Sequence, residues 1–419
     1  VQVKLSKNKP YLFIISSQFI HKIAESLYDL VMPLLVLYIT GSPVLMGVMY
    51  ILGEVAEYLV FLFGGAIADS FNRKKLLITI AILQIIFISL IPIFEHIGIL
   101  SITLLFIVAF VIDLCVCLYG IADISIIPQI VERDELPKAN GIMQSVVSTS
   151  SALGPAVSGI IIAALGLFGS IWINALLFMV LLFTFRYLRD MKQTDKEEDG
   201  NVNPKTILMK SLQGIKLTFK KRLLLVLVFW QAFFIFGIHG SILMLIFYLE
   251  SDIGFGSDGI GVVMTFGAIG GILSGLVFAK VQKVFKGKNG ILIILGTVFA
   301  GIMFILLPFA TAWYSIGVIY LGIMFSIAIV SRLISLYIQY NVESKFLGRA
   351  FAASQLISSI LAPLSILIAA LLAENVGTEY VFLLSGAVLL LSSVLAVLFN
   401  INNYKWIDDS TLPSKSEGS

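Results

Sequence analysis

Lys22, Glu25 and Asp29 lie at positions i, i+3 and i+7 of one long apolar stretch, so a helix there carries a base and two acids down a single face. Glu54 and Glu57 share a face of the next apolar stretch near its mid-depth, and Asp113 sits in the inner half of the fourth. An ionised side chain at the centre of a bilayer costs roughly 2.5–3.5 kcal/mol on insertion scales, so charges in such stretches face a watery cavity or one another. Taking a carboxyl out of water favours its protonated form. These five acids can therefore take up and release protons or hold a cationic group, and they are the leading candidates for a functional site. The alternative is structural: Lys22 and Glu25 neutralise each other as an i, i+3 pair, and Glu54 and Glu57 pack between helices.

Other residues extend the candidate set. Arg332 lies about six residues from the end of its apolar stretch, near enough to snorkel to the interface or to contact an anionic group. His239, within the seventh stretch, either titrates near neutrality or packs. Tyr28, Tyr58, Trp230, Phe233, Phe234 and Tyr337 are placed to line an aromatic cavity for an amphiphilic ligand. Cys115 and Cys117, two apart, point to different faces of a helix and read as packing residues. No phosphate-binding Gly-Lys-Ser/Thr loop, His-Glu-x-x-His, Cys/His cluster or Gly-x-Ser-x-Gly elbow occurs, so ATP hydrolysis, a metal, a cofactor and enzymatic activity are not expected.

The elements that must carry these residues are membrane helices. Hydrophobic residues make up 59% of the chain and charged ones 13%, with a mean hydropathy of +1.02, far from soluble-globular norms. A bilayer core of about 30 Å takes roughly 20 apolar helical residues. Twelve such windows occur, at 11–39, 44–68, 76–94, 99–121, 141–165, 168–188, 223–248, 258–280, 290–310, 313–338, 350–373 and 378–399. All 28 Lys and Arg residues except Lys22 and Arg332 fall in the termini or in alternate connections, at 4–9, 73–75, 133–138, 186–222, 280–288, 345–349 and 405–415. The remaining connections carry acids instead: Glu95, Glu250, Asp252, Asp258, Glu374 and Glu379. By the positive-inside rule both termini are cytoplasmic. The net charge of +3 resides in loops facing anionic lipid and carries no nucleic-acid footprint. The first helix, too long for a cleavable signal, is expected to serve as the targeting signal.

The polar break divides the chain into an N-terminal six-helix bundle (1–189), a linker with an amphipathic surface helix (190–222), a C-terminal six-helix bundle (223–401) and a disordered tail (402–419). One offset lays Glu132 on Glu343, Lys138 on Arg349 and Gln144 on Gln355, a parallel repeat. Two such bundles, related by an axis along the membrane normal, leave a central cavity and suit rocking of one half against the other.

After the second stretch come Gly65, Ala66, Ile67, Ala68, Asp69, Ser70, Phe71, Asn72, Arg73 and Lys74. This resembles the signature of the major facilitator superfamily, with Ser70 in place of the usual base and Asn72 in place of the usual glycine. The run from Pro128 through Glu132, Leu136, Ala139 and Asn140 to Gly141, followed by Leu153, Gly154 and Pro155, is similar to the macrolide-efflux and enterobactin-exporter branch. So are Thr40, Gly41, Ser42 and Pro43, and Leu347, Gly348 and Arg349. In the fifth stretch Gly154, Pro155 and Gly159 resemble the antiporter motif of the family's exporters, with Ser150 and Ser158 at two motif glycines; a kinked packing helix is the alternative.

The resemblance, which covers 11–399, implies a major facilitator fold driven by gradients. Glu25 stands where family members commonly carry an acid, while Gly65, Asp69, Arg73, Lys74 and Arg349 would govern conformation on the cytoplasmic side. The expected function is proton-coupled antiport and export of a small amphiphilic or zwitterionic molecule, drug-like or siderophore-like, by a monomer in a bacterial plasma (inner) membrane. Its expected partners are the small-molecule substrate, protons and membrane lipids, with no nucleic acid. A lipid or lysolipid flippase of the same fold is the main alternative, and a non-transporting membrane sensor a weaker one.

Overall fold

A computed structural model of the chain describes residues 8–70, 72–124, 127–131, 135–186, 222–285, 288–342 and 354–401. The expected linker (190–222) except Arg222, the tail at 402–419 and the positions Glu132, Glu343 and Arg349 lie outside the described residues. So do the side chains of Gly65, Asp69 and Arg73, whose backbone is helical.

Among the described residues, eleven helical spans are long and apolar enough to cross a membrane and there is no strand. They are α1 (Lys9–Thr40), α2 (Pro43–Ser70), α3 (Arg73–His96), α4 (Ile102–Ile124), α5 (Leu136–Arg186), α6 (Arg222–Phe247), α7 (Gly256–Val284), α8 (Asn289–Leu306), α9 (Trp313–Asn341), α10 (Ala362–Asn375) and α11 (Thr378–Leu398). Helix α10 has 14 residues, and it is together with the helical segment at 354–359 leading into it that it makes a membrane-length span, Ser354–Asn375. In hydrocarbon every backbone polar group needs an internal partner, which a helix supplies. The ends are set by local chemistry. Asn8 accepts from the Tyr11 N–H at 3.2 Å ahead of Pro10, and Gly41, left-handed at φ 64°, closes α1 by donating to Leu37 O at 2.7 Å. Asn72 caps α3 by accepting from the N–H groups of Lys74 and Lys75.

Helix α5 has 51 residues. Straight, it would reach about 76 Å, more than twice the bilayer core. It breaks at Gly166, whose φ of 69° and ψ of −179° belong to a region nearly restricted to glycine. A Cβ there would meet nothing within 4 Å, so backbone geometry rather than crowding requires the glycine.

Helices α1 to α5 pack among themselves, chiefly α1 on α5, α2 on α4, and α3 on both α4 and α5. Helices α6 to α11 do likewise, with α6 on α10 and α11, α8 on α9 and α11, and α7 on α9. The two groups meet where α5 crosses α7 and α2 crosses α10. Lipid gives helices no hydrophobic reason to associate, so close approach of small residues matters here. A Cβ on Gly159 of α5 would lie 2.6 Å from the Gly261 Cα of α7, and one on Gly47 of α2 would lie 3.0 Å from the Ala370 Cβ of α10. Outward-facing Ile160, Leu276, Phe309 and Leu398 are among the most exposed side chains, as a lipid-contacting rim requires.

Candidate functional site: a carboxylate-lined chamber

Three helices of the first group, α1, α2 and α4, enclose a cavity of 320 Å³ whose walls include Glu25, Asp29, Glu54, Glu57 and Asp113. A second cavity of 280 Å³ shares Glu25, Asp29 and Tyr50, adds Lys22, Ser26, Ser151 and Pro155, and reaches Ile242, Ile246 and Met264 of α6 and α7. The five acids singled out from the sequence thus all line the first cavity, and the second adjoins it through three shared residues; together they are called the chamber. Its far wall, from the second helix group, is apolar.

The chamber depends on how α1, α2 and α4 are built. Pro33 has no N–H, so the Asp29 carbonyl four residues earlier loses its helical donor; the Tyr50 hydroxyl donates to it instead at 3.3 Å. That bond ties α1 to α2 at the chamber wall. Gly53 does the same for α2 and α4, because a Cβ there would sit 2.7 Å from Asp113 Oδ2. Asp113 occupies the space that Gly53 leaves. The Tyr28 hydroxyl donates to Ala109 O at 3.3 Å, which holds α1 on α4.

Lys22 Nζ donates to Glu25 Oε2 at 2.5 Å, and His21 Nδ1 lies 3.7 Å from that same oxygen. Two contacts join the helix groups beside the acids. His239 Nδ1 of α6 is 3.7 Å from Glu54 Oε1 of α2, and the Tyr58 hydroxyl donates to Ser359 O at 2.6 Å. Among the described residues, no group of three or more His, Cys, Asp or Glu is arranged to hold a metal ion.

Several expected cavity residues stand elsewhere. Trp230 is buried, donates from Nε1 to Ser392 O at 2.9 Å and stacks on buried Phe234 at 5.3 Å between ring centroids. Tyr337 is buried in the core, while Phe233 is 47% exposed and belongs to neither cavity. Aromatic content alone does not tell a cavity wall from helix packing, since the two differ only in what lies opposite. Arg332 donates to Ser274 Oγ and to Gly271 O at 3.3 Å, which makes it a clamp between α9 and α7 away from the acids. Cys117, read as packing, lines the same cavity as Glu57 and Asp113, whereas Cys115 is buried. Lys74 lies in the first turn of α3.

The motif residues of α5 have separate tasks. A Cβ on Gly154 would meet Ser26 of α1 at 2.6 Å, Gly159 meets Gly261 across the group boundary, and Pro155 lines the chamber. Sequence reasoning missed Tyr50, Gly53 and His21. Tyr50 and Gly53 had a signal, in their spacing from Glu54 and Glu57 on one helix; His21 lies next to Lys22 but on a buried flank.

The model of the Major Facilitator Superfamily matches residues 14–362. Macrolide efflux protein A of Streptococcus pyogenes is 25% identical over 375 residues, which cover 86% of this chain and 88% of that protein. Among solved structures, a point mutant of the nucleoside transporter NupG aligns with a TM-score of 0.70 at 15% identity, over 94% of this chain and 100% of the other. A bacterial homologue of the iron transporter ferroportin in an inward-facing state gives 0.68 at 14%, over 96% and 100%. A bacterial metal transporter gives 0.64 at 14%, over 96% and 99%. At these identities the structural matches speak for the fold.

Proposed function

Since this chain belongs to the Major Facilitator Superfamily, we propose that it exports a small amphiphilic, cationic or zwitterionic molecule in exchange for protons, by alternating access. The observation that carries this reading is the chamber, whose first cavity is lined by five carboxylates from three helices and whose second, holding Glu25 and Asp29, meets an apolar wall from the other helix group. A cationic head would rest among the acids while its apolar body lies on Ile242, Ile246 and Met264. A proton taken up by a carboxyl cancels the charge that holds the head, so substrate and proton compete for one place. Competition of that kind, alternately open to the two sides, is antiport.

On this reading the two limbs of α5 on either side of Gly166 are the fifth and sixth of twelve spans, and the chain forms two six-helix bundles with cytoplasmic termini. The contacts between the halves at Gly47, Gly159 and Ser42 then lie on the outer side, as in an inward-facing state. The likeness to a macrolide efflux protein supports an organic substrate and the outward direction. The protein works as a monomer in a bacterial plasma membrane.

Proteoliposomes holding a pH dye test this. A macrolide or a siderophore should drive proton movement, and Glu25→Gln should lower it at least tenfold with the fold intact. A second reading, a lipid or lysolipid flippase, draws on an apolar cleft of 490 Å³ between α5 and α7, lined by Ala156, Gly159, Ile160, Gly261 and Val262 beside the lipid-facing surface. Scrambling of a fluorescent lysolipid with no proton movement for either organic compound would overturn antiport in favour of that reading.

A further inference from the structure

His21 is 1% exposed, and neither of its ring nitrogens has a hydrogen-bond partner. Its ring stacks on Tyr119 of α4 at 3.7 Å between centroids and 6° between planes, and Phe178 of α5 stands 6.4 Å away. The ring is therefore wedged where α1, α4 and α5 meet. A packing role alone would be met by phenylalanine, which brings no polar atom to bury. Buried polar atoms in native proteins are nearly always paired, so an imidazole with both nitrogens unpaired calls for a reason. One nitrogen, Nδ1, lies 3.7 Å from Glu25 Oε2, the oxygen that Lys22 also holds.

We propose that His21 is the positioning residue for Glu25, and that its imidazole changes tautomer to serve both charge states of that carboxyl. This rests on the reading of Glu25 as a proton site. The chemistry is particular to imidazole. In one neutral tautomer Nδ1–H donates to a carboxylate, and in the other the Nδ1 lone pair accepts from a carboxylic O–H. The Lys22 ammonium has donors only, so it serves the ionised form alone. When Glu25 takes a proton, its bond to Lys22 loses its charge and His21 becomes the partner at hand, with no net charge entering the buried pocket. When Glu25 releases the proton, Lys22 and the Nδ1–H tautomer hold it together. The stack on Tyr119 fixes the ring plane, so the ring does not turn: Nδ1–H gives its proton to Glu25 Oε2 as Nε2 takes up the incoming one, and the reverse path releases it, one proton in all and no change of imidazole charge. The other ionisable groups that line the cavity with Glu25 are Tyr28 and Asp29 on α1, Tyr50, Glu54 and Glu57 on α2, and Asp113 and Cys117 on α4; the Tyr119 phenol is the titratable group on the His21 ring.

The first measurement, of the tautomer, needs no substrate. The chain has 3 histidines, so imidazole-labelled protein in detergent micelles gives few signals, and His21 is assigned by its loss in His21→Phe. Carbon and nitrogen shifts report the tautomer. The expected result is a change of His21 tautomer as pH is moved from about 9 to 5 in the parent, abolished in Glu25→Gln, where one tautomer persists throughout. His21→Phe, which keeps the stack, should retain at least half the parent's substrate counterflow yet change tenfold the proton concentration that half-saturates proton-driven exchange. One unchanging tautomer in the parent, with the same spectrum in Glu25→Gln, would overturn the proposal and leave the transport reading untouched. That reading stands or falls separately, on proton movement in the parent.

Discussion

Gly53 shows how one missing side chain can build a site. Its neighbour Glu54 faces the chamber, and Asp113 is accommodated only because position 53 carries no Cβ. Gly53→Ala should push the Asp113 carboxylate aside, with a stability loss of about 1–3 kcal/mol from overpacking and a tenfold or greater fall in transport. Thermal unfolding and proton-driven exchange measure the two effects. A variant with parental transport would mean that Asp113 can leave its place without consequence. Residue spacing put Glu25 with Asp29 and Glu54 with Glu57 on shared faces but left the distances between these pairs and Asp113 open, because helical periodicity says nothing about the neighbouring helix. For the same reason sequence reasoning chose His239 and passed over His21: both are lone histidines in apolar stretches, and only the packing tells that one lies 39% exposed beside Glu54 and the other is buried against Tyr119.

Helices α1 and α5 each hold a break in regular geometry, and each break has a local feature that makes it tolerable. Pro33 frees the Asp29 carbonyl, which Tyr50 takes up. Tyr50→Phe should cost about 0.5–1.5 kcal/mol, the net worth of one hydrogen bond, since chamber water can replace the phenol in part. Gly166 lets α5 turn, and Gly166→Ala should cost about 1–3 kcal/mol because the conformation is strained for any residue with a Cβ. Chemical denaturation in detergent checks both. Equal stability of Gly166→Ala and parent would place the turn elsewhere. Pro33 and Gly166 were visible in the sequence; that Tyr50 rather than water meets the Asp29 carbonyl was not, since the donor comes from another helix.

At the scale of the whole molecule, the two helix groups touch at a few places where small residues or hydroxyls allow it. Ser42 Oγ lies 3.4 Å from Glu374 Oε1, at the ends of α1 and α10. If alternating access separates these ends, a Ser42→Cys/Glu374→Cys pair should form a disulfide on oxidation, lower transport at least tenfold and regain it on reduction, while substrate binding remains. Transport that continues through the cross-linked protein would rule out separation of these ends. His239 and Glu54 make a second link between the groups, beside the chamber. His239→Phe should loosen that link and, if the acids report their charge to the other half through it, lower proton-driven exchange more than counterflow.

By itself the sequence determined the class of protein and its building blocks: apolar windows too long for water, basic residues at alternate connections, and motif glycines of one transporter family, each a local property of composition and spacing. It also chose the acids, because charge in an apolar window is costly wherever the helices go. Only the tertiary structure decided that Glu25, Asp29, Glu54, Glu57 and Asp113 share one chamber, that Trp230, Phe234 and Tyr337 pack away from it, that Arg332 clamps α9 to α7, and that His21 stands behind Glu25. The physical reason is that hydrocarbon solvates every apolar face equally. In water the hydrophobic face of a helix announces what it packs against; in lipid that signal is absent, and partners are fixed by close packing of small residues and by single hydrogen bonds between helices far apart in the chain.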